Sequence, residues 1–295
     1  MEKEEKKSVS LVLGSGGARG LAHIGVIRWL EEKGYDIRSI SGSSTGALIG
    51  GVYAVGQLHQ FEQWALSVTR RDLFNLIDLS FQKGGIIKGD RIIERIKKMV
   101  GNALIEDLPV SYTAVATDLD AGKEVWIDKG PLFDAIRASI SIPLLFTPFK
   151  DKGRLLVDGG VLNPVPIAPT FSDLSDITIA VNVSGSVDEG GMDKTKSNKK
   201  PKPSSRLQEK INGFTEEMRD LAASYFSENR GMLDIANRSF DAMQSTIARQ
   251  KLAAYPPDIL IEIPRNVSTI LEFDRAKELI SLGYDAAAGV MKNKD

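Results

Sequence analysis

Ser44 stands inside Gly42-Ser43-Ser44-Thr45-Gly46, a Gly-x-Ser-x-Gly run. Such a run suits a nucleophilic serine. A sharp turn between strand and helix projects the hydroxyl, and the small flanking residues Gly42 and Gly46 let the two backbones approach closely. The pattern alone is weak, and a structural glycine turn fits it too. A second run, Gly14-Ser15-Gly16-Gly17-Ala18-Arg19-Gly20, is a glycine-rich turn ahead of a helix. Backbone N–H groups exposed beside the positive end of a helix dipole suit a phosphate or a developing oxyanion. The nucleotide reading needs Gly-x-Gly-x-x-Gly, and its last place is held by Arg19. The acidic residue it wants at the end of the second strand is replaced by the serine turn, and the Lys-Ser/Thr of a phosphate-binding loop is missing. The oxyanion reading needs only the N–H groups, and it explains why a serine turn occupies the next strand end.

A serine nucleophile requires a base. The chain has two histidines, His23 and His59, both early, whereas an ordinary Ser-His-Asp hydrolase of the α/β class places its histidine after the acid. His23 fits a structural role on a helix face beside Ile24 and Ile27. A carboxylate can replace histidine if it is held near the serine and partly desolvated, which raises its pKa. Asp158 is the candidate: it ends a strand and is followed by Gly159-Gly160, glycines that let the backbone pass close to the serine turn. A strand-end carboxylate in an open α/β sheet faces the crevice where ligands bind. Taken alone, Asp-Gly-Gly is a common turn.

These residues need strands and helices to carry them. Ser8–Leu13 reads as a buried strand, Leu21–Lys33 as a helix, Ile37–Ile40 as a second strand and Ala47–Val55 as a tightly packed helix of small residues. Strand–turn–helix occurring twice indicates a parallel sheet with helices on its faces. Further strands are expected at Tyr112–Thr117, Glu124–Ile127, Arg154–Val157, Ile177–Val181 and Asp258–Ile261. Further helices are expected at Phe61–Val68, Asp90–Val100, Leu132–Ala138 and Asp274–Ala288. The polar stretch Gly185–Ser205 is expected to be a mobile surface loop or a disordered insertion. Its basic run, Lys194–Arg206, is either a solvated loop or a contact for anionic lipid headgroups. The segment from Leu207 to Leu252 reads as largely helical, with an amphipathic face at Leu207, Ile211, Phe214, Met218, Leu221 and Tyr225. The apolar run Ile140–Phe146 fits an acyl-chain channel or a core segment equally well.

Composition sets outer bounds. The chain has 295 residues, an apolar share of 42% and a net charge of −1. These values fit a globular protein with a sizeable core, and nothing in them argues for nucleic acid. The absence of cysteine excludes disulfides, thiol nucleophiles and thiolate metal sites. No His/Asp/Glu cluster has metal-ligand spacing, so neither metal nor cofactor is expected. With no signal-like or membrane-spanning apolar segment, the expected location is the cytoplasm, with contact to a membrane surface left open, as is the oligomeric state.

Taken in order, the glycine-rich loop with its basic residue, the Gly-x-Ser-x-Gly elbow and Asp158-Gly159-Gly160 resemble the patatin-like phospholipase family. The likeness is greatest to bacterial members related to the neuropathy target esterase catalytic domain. Leu13–Gly20 with Ala22-His23-Ile24-Gly25-Val26 is similar to the family's first block. Ala116-Thr117-Asp118-Leu119 and Ala138–Pro143 resemble its middle blocks, and Asp158–Pro166 its aspartate block. The resemblance implies a single domain over 1–295 with a three-layer α/β/α, mostly parallel, patatin-like fold. The core motifs lie over 8–170, a loop over 185–205, and a helical tail over 206–295 with one further strand and a C-terminal helix. It further implies a serine acyl-ester hydrolase with Ser44 as nucleophile and Asp158 as base, acting on a lipid or ester substrate. The oxyanion loop falls at Gly16, Gly17, Ala18 and Arg19, supported by Gly14, Gly20, Gly42, Gly46, Gly159 and Gly160. The alternative is a nucleotide- or phosphate-binding or regulatory protein that uses the glycine loop without turnover.

Overall fold

In the computed structural model, residues 6–69, 72, 90–143, 145–187, 235 and 238–292 are described. The chain divides into two compact units, Met1–Asp188 with Gln244–Asp295, and Glu189–Met243. The second has helical backbone over 238–243. The polar stretch beyond Asp188, the basic run and the amphipathic face expected over 207–225 fall outside the described residues.

The first unit is built on an eight-stranded sheet. Its strands are β1 (Ser8–Leu13), β2 (Asp36–Ser43), β3 (Ser111–Asp118), β4 (Lys123–Ile127), β5 (Phe149–Asp151), β6 (Arg154–Asp158), β7 (Ile177–Gly185) and β8 (Ile259–Pro264). Their order is β5-β6-β3-β2-β1-β7-β8, with β4 added to β3. The strands β3, β2, β1, β7 and β8 are parallel. β4 and β6 pair antiparallel to β3, and β5 to β6.

All six residues of β1 are buried, as a central parallel strand covered on both faces requires. Successive side chains alternate between the faces. Val9, Leu11 and Leu13 join the large core under the helices α1 (Ala22–Glu32), α2 (Thr45–Ala54) and α7 (Ala276–Met291). Val12 joins a smaller core with Ala180, Val165 and Ala248, the last from a helix over 244–254 (α6). The result is the three-layer α/β/α arrangement expected from the sequence, with a mostly parallel sheet. The helices α3 (Leu58–Ser67), α4 (Asp90–Val100) and α5 (Leu132–Ser139) complete the layer that holds α2. No described helix is long and apolar enough to cross a membrane.

Three differences from the sequence reading bear on the site. β2 continues through Ser41, Gly42 and Ser43, which pair with Thr113, Ala114 and Val115. Their low β-propensity signals a turn, but strands on both sides supply the ladder bonds and override it. α2 accordingly starts at Thr45, directly after the serine. β7 likewise runs to Gly185, where the polar loop was expected to begin. The three-residue strand β5 has no counterpart in the sequence reading. It exists through a hairpin in which Lys152 and Gly153 both take positive φ, the geometry of a two-residue primed turn.

The pairing on β3 is what assembles the site. β4 occupies one edge of β3 along Ala114–Asp118. The other edge is shared: β2 pairs with it up to Val115, and β6 pairs with it from Asp118 back to Ala116. β2 and β6 therefore run towards each other along a single edge, and their carboxyl ends meet.

Candidate active site

Ser44 is the single residue between the end of β2 and the start of α2. Its backbone has φ 56° and ψ −124°, a strained conformation for a residue with a side chain, costing on the order of 1–3 kcal/mol. Its side chain makes no capping bond to the helix that it begins, so the hydroxyl is left for other work. The turn is held from several sides. The Ser44 N–H donates to Ser139 Oγ at 2.9 Å, and the Ser44 carbonyl accepts from Leu48 N–H at 3.1 Å. Gly46 rests on the end of β1, and a Cβ there would lie 2.1 Å from the Leu13 carbonyl oxygen. Only glycine allows that approach. Gly42 is also tightly placed, and a Cβ there would lie 2.6 Å from the Ala47 backbone nitrogen.

Asp158 ends β6 and is fully buried. Its Oδ1 accepts from Gly160 N–H at 2.7 Å. Burial disfavours the charged carboxylate and pushes its pKa up to about 7, against the lowering effect of hydrogen bonds from Ser44 and Gly160. Oδ2 of Asp158 is buried with no hydrogen-bond partner among the described residues, while the Ser44 hydroxyl is near enough to the carboxyl to favour its charged form. Such contacts are often slack before substrate arrives and tighten in the reacting complex. Gly159 explains how the two segments come so close: a Cβ there would sit 2.0 Å from the Val115 carbonyl oxygen and 2.7 Å from Ser43 Oγ. Gly160 in turn packs against Ser15 and Gln244.

The glycine-rich loop lies beside them. Gly14 N–H donates to Val181 O and Ser15 N–H to Pro164 O, fixing the loop to β7 and to the segment after Asp158. Gly17 begins a 3-10 turn that runs to Leu21 and contains Gly20, which abuts Thr45. Thr45 Oγ1 donates to the Gly17 carbonyl at 2.9 Å, tying the loop to the serine turn. The four expected oxyanion positions divide into two pairs. Ala18 N–H donates to Ile270 O and Arg19 N–H to Gly16 O. Among the described residues, no acceptor takes the N–H groups of Gly16 and Gly17, which leaves those two available. The Arg19 side chain is buried and its Nη1 donates to the carbonyls of Arg265 and Ser268. His23 is buried behind the loop, with Nε2 donating to Gly14 O at 2.8 Å. Desolvation lowers its pKa to about 4, so it is neutral. His59 is exposed at the start of α3.

Ser44 opens into a cavity of about 130 Å³ whose walls, apart from Ser44 and Thr45, are apolar. Ile140, Ile142, Leu145 and Phe146 all line it, so the apolar run that sequence left between channel and core contributes to the wall. Leu48, Phe61 and Trp64 line it as well. Leu144 lies outside the described residues.

Sequence reasoning missed two supports. Ser139 lies in a block whose likeness to the family was noted without giving it a role. Gln244, whose Nε2 donates to Ser15 Oγ at 3.1 Å, follows a stretch with no motif at all.

A mostly parallel α/β/α fold with a strained strand–serine–helix turn beside a glycine-rich loop has the outline of a hydrolase nucleophile elbow. Residues 11–171 match the family model described as patatin-like phospholipase, and the chain belongs to that family. It is 40% identical to an NTE family protein of Mycobacterium tuberculosis, over 96% of this chain and 91% of that one. It is 36% identical to a lysophospholipase of Neurospora crassa, over 62% of this chain and 12% of that protein. Among solved structures, VipD from Legionella pneumophila aligns over 98% of this chain and 67% of that chain with a TM-score of 0.47 and 14% identity. Family membership favours the hydrolase reading over a phosphate-binding one.

Proposed function

We propose that the protein is a serine acyl-ester hydrolase of lipid esters, in the range of phospholipase, lysophospholipase and carboxylesterase, working through a Ser44–Asp158 dyad and an acyl-enzyme. The observation that carries this reading is the placement of Ser44. It stands on a strained turn, within influence of a buried carboxyl with a pKa of about 7, at the mouth of an apolar cavity.

Chemistry follows from that placement. The acyl chain of the ester occupies the apolar cavity and brings its carbonyl to Ser44. Asp158, ionised, accepts the hydroxyl proton as Ser44 Oγ attacks the carbonyl carbon. The tetrahedral oxyanion receives hydrogen bonds from the N–H groups of Gly16 and Gly17, each worth about 3 kcal/mol in a site of this kind. Collapse breaks the ester bond, and the proton on Asp158 passes to the departing alkoxide. Water then attacks the acyl-enzyme with Asp158 again as base and releases the fatty acid. The arrangement resolves the problem of the missing late histidine, because a desolvated carboxyl titrates near neutrality, where a general base is most effective.

The reading also gives the protein a lipid surface as its working partner, met peripherally from the cytoplasm. Replacement of Ser44 by Ala tests the proposal. Hydrolysis of p-nitrophenyl and lysophospholipid esters is expected to vanish with the fold intact, and ester turnover persisting in that variant would remove the nucleophile assignment.

A further inference from the structure

Ser139 is the last residue of α5 and is fully buried. Its hydroxyl donates to the carbonyl oxygen of Val115 at 2.6 Å and accepts from the backbone N–H of Ser44 at 2.9 Å. Val115 is the residue at which β3 parts from β2, and Ala116, next along, already pairs with Asp158. One hydroxyl thus bonds both to the peptide of the serine turn and to the strand step where the two carboxyl ends meet.

We propose that Ser139 is a positioning residue for the reaction, holding the Ser44 turn in its strained conformation and in register with Asp158. The inference rests on the reading of Ser44 as nucleophile and Asp158 as base. A backbone conformation of this kind persists only where its surroundings over-determine it. The Ser44 N–H is the inner anchor of the turn, and a hydroxyl is suited to it because a single group can donate and accept at once. Alanine at 139 would leave the Val115 carbonyl and the Ser44 N–H buried without that shared partner. The turn would then relax and carry Ser44 Oγ away from Asp158. Ser139 is not part of the cavity wall, although its neighbour Ile140 is. Substrate binding should therefore be spared.

Ser139→Ala and the near-isosteric Ser139→Cys test this, each compared with wild type for thermal unfolding, for kcat and KM on p-nitrophenyl butyrate, and for the rate of fluorophosphonate labelling of Ser44. A thiol forms longer and weaker bonds than a hydroxyl. In folded Ser139→Ala, kcat and the labelling rate are expected to fall together by roughly ten- to a hundredfold with KM within about twofold, as small misplacements of a reacting group do. Ser139→Cys is expected to fall between that variant and wild type, and it carries the test if the alanine variant does not fold. Wild-type kcat and labelling rate in either variant, counted per folded molecule, would overturn the proposal, even with a lowered melting temperature. A wild-type protein that takes no label at Ser44 would instead overturn the nucleophile reading beneath it.

Discussion

Ser43 and Asp158 face consecutive residues on one edge of a single strand, Ser43 opposite Val115 and Asp158 opposite Ala116. The residues that follow them, Ser44 and Gly159, are therefore brought together by backbone ladders rather than by loops. Register in such a sheet is strongly specified, because a slip of one residue sends every side chain to the wrong face. The fold thus fixes the separation of Ser44 and Asp158, the proposed nucleophile and base, across more than a hundred residues of chain.

Asp158→Asn keeps the size of the side chain and an acceptor for Gly160 N–H, but removes the carboxylate proposed as base. Turnover of short esters should fall by roughly 10²–10⁴-fold with the fold preserved. Steady-state kinetics beside a circular dichroism spectrum checks this, and activity within a few fold of wild type would reassign the base.

The pH profile follows from the same carboxyl. With its pKa raised to about 7 by burial, the ionised form proposed to accept the Ser44 proton disappears below neutrality. The value of kcat/KM should rise through about pH 7 and drop about tenfold per pH unit on the acid side. A profile flat from pH 5 to 8 would contradict the assignment.

Stability should move the opposite way. Asp158 has a folded pKa of about 7 against 3.8 for an ordinary aspartate side chain, so the folded state holds the proton more tightly. Its contribution to stability is fully present below the unfolded pKa and is lost as pH rises through the folded one. Asp158→Asn, which cannot ionise, should gain on wild type between about pH 4 and 7, by an amount on the order of a few kcal/mol. Urea unfolding across that window reads the difference. A gap that does not widen with pH would mean that the carboxyl is not desolvated as described.

Leu48 stands one helical turn after Ser44 and lines the cavity. Leu48→Trp should narrow the space for an acyl chain while leaving Ser44 and Asp158 in place. The ratio of kcat/KM for dodecanoate to butyrate esters should then fall at least about tenfold, the scale of a few lost methylene contacts. An unchanged ratio would place the acyl chain elsewhere.

Arg19 is a support beneath the glycine loop, for its guanidinium is buried and holds the carbonyls of Arg265 and Ser268. Arg19→Met should cost about 2–4 kcal/mol, since it strands one buried and one part-buried carbonyl that a charged donor satisfied. Chemical denaturation measures this, and a loss under about 0.5 kcal/mol would show the residue to be replaceable.

Several parts of this arrangement could be read from sequence because their chemistry is local. β1 was legible to the residue, since six buried positions in a row leave a continuous signal. The serine turn and Asp158-Gly159-Gly160 were legible because tight turns restrict which residues fit. The shared edge of β3 was not legible, because the pairing of β6 with β2's own neighbour is decided by register across the sheet. Ser41-Gly42-Ser43 looked like turn for the same reason: their strand character comes from partners at 113–115. Ser139 and Gln244 act through hydrogen bonds to backbone or side chains far away in the chain, two for Ser139 and one for Gln244, and the family-like block around Ser139 carries no sign of that bonding.

The most direct test of the account is the site and speed of covalent capture. Wild-type protein treated with a fluorophosphonate should show one adduct by peptide mass spectrometry, on the peptide that carries Ser44, forming at least a hundredfold faster than in Asp158→Asn, in keeping with the loss of a general base. An adduct on another residue, or equal rates in the two proteins, would contradict it.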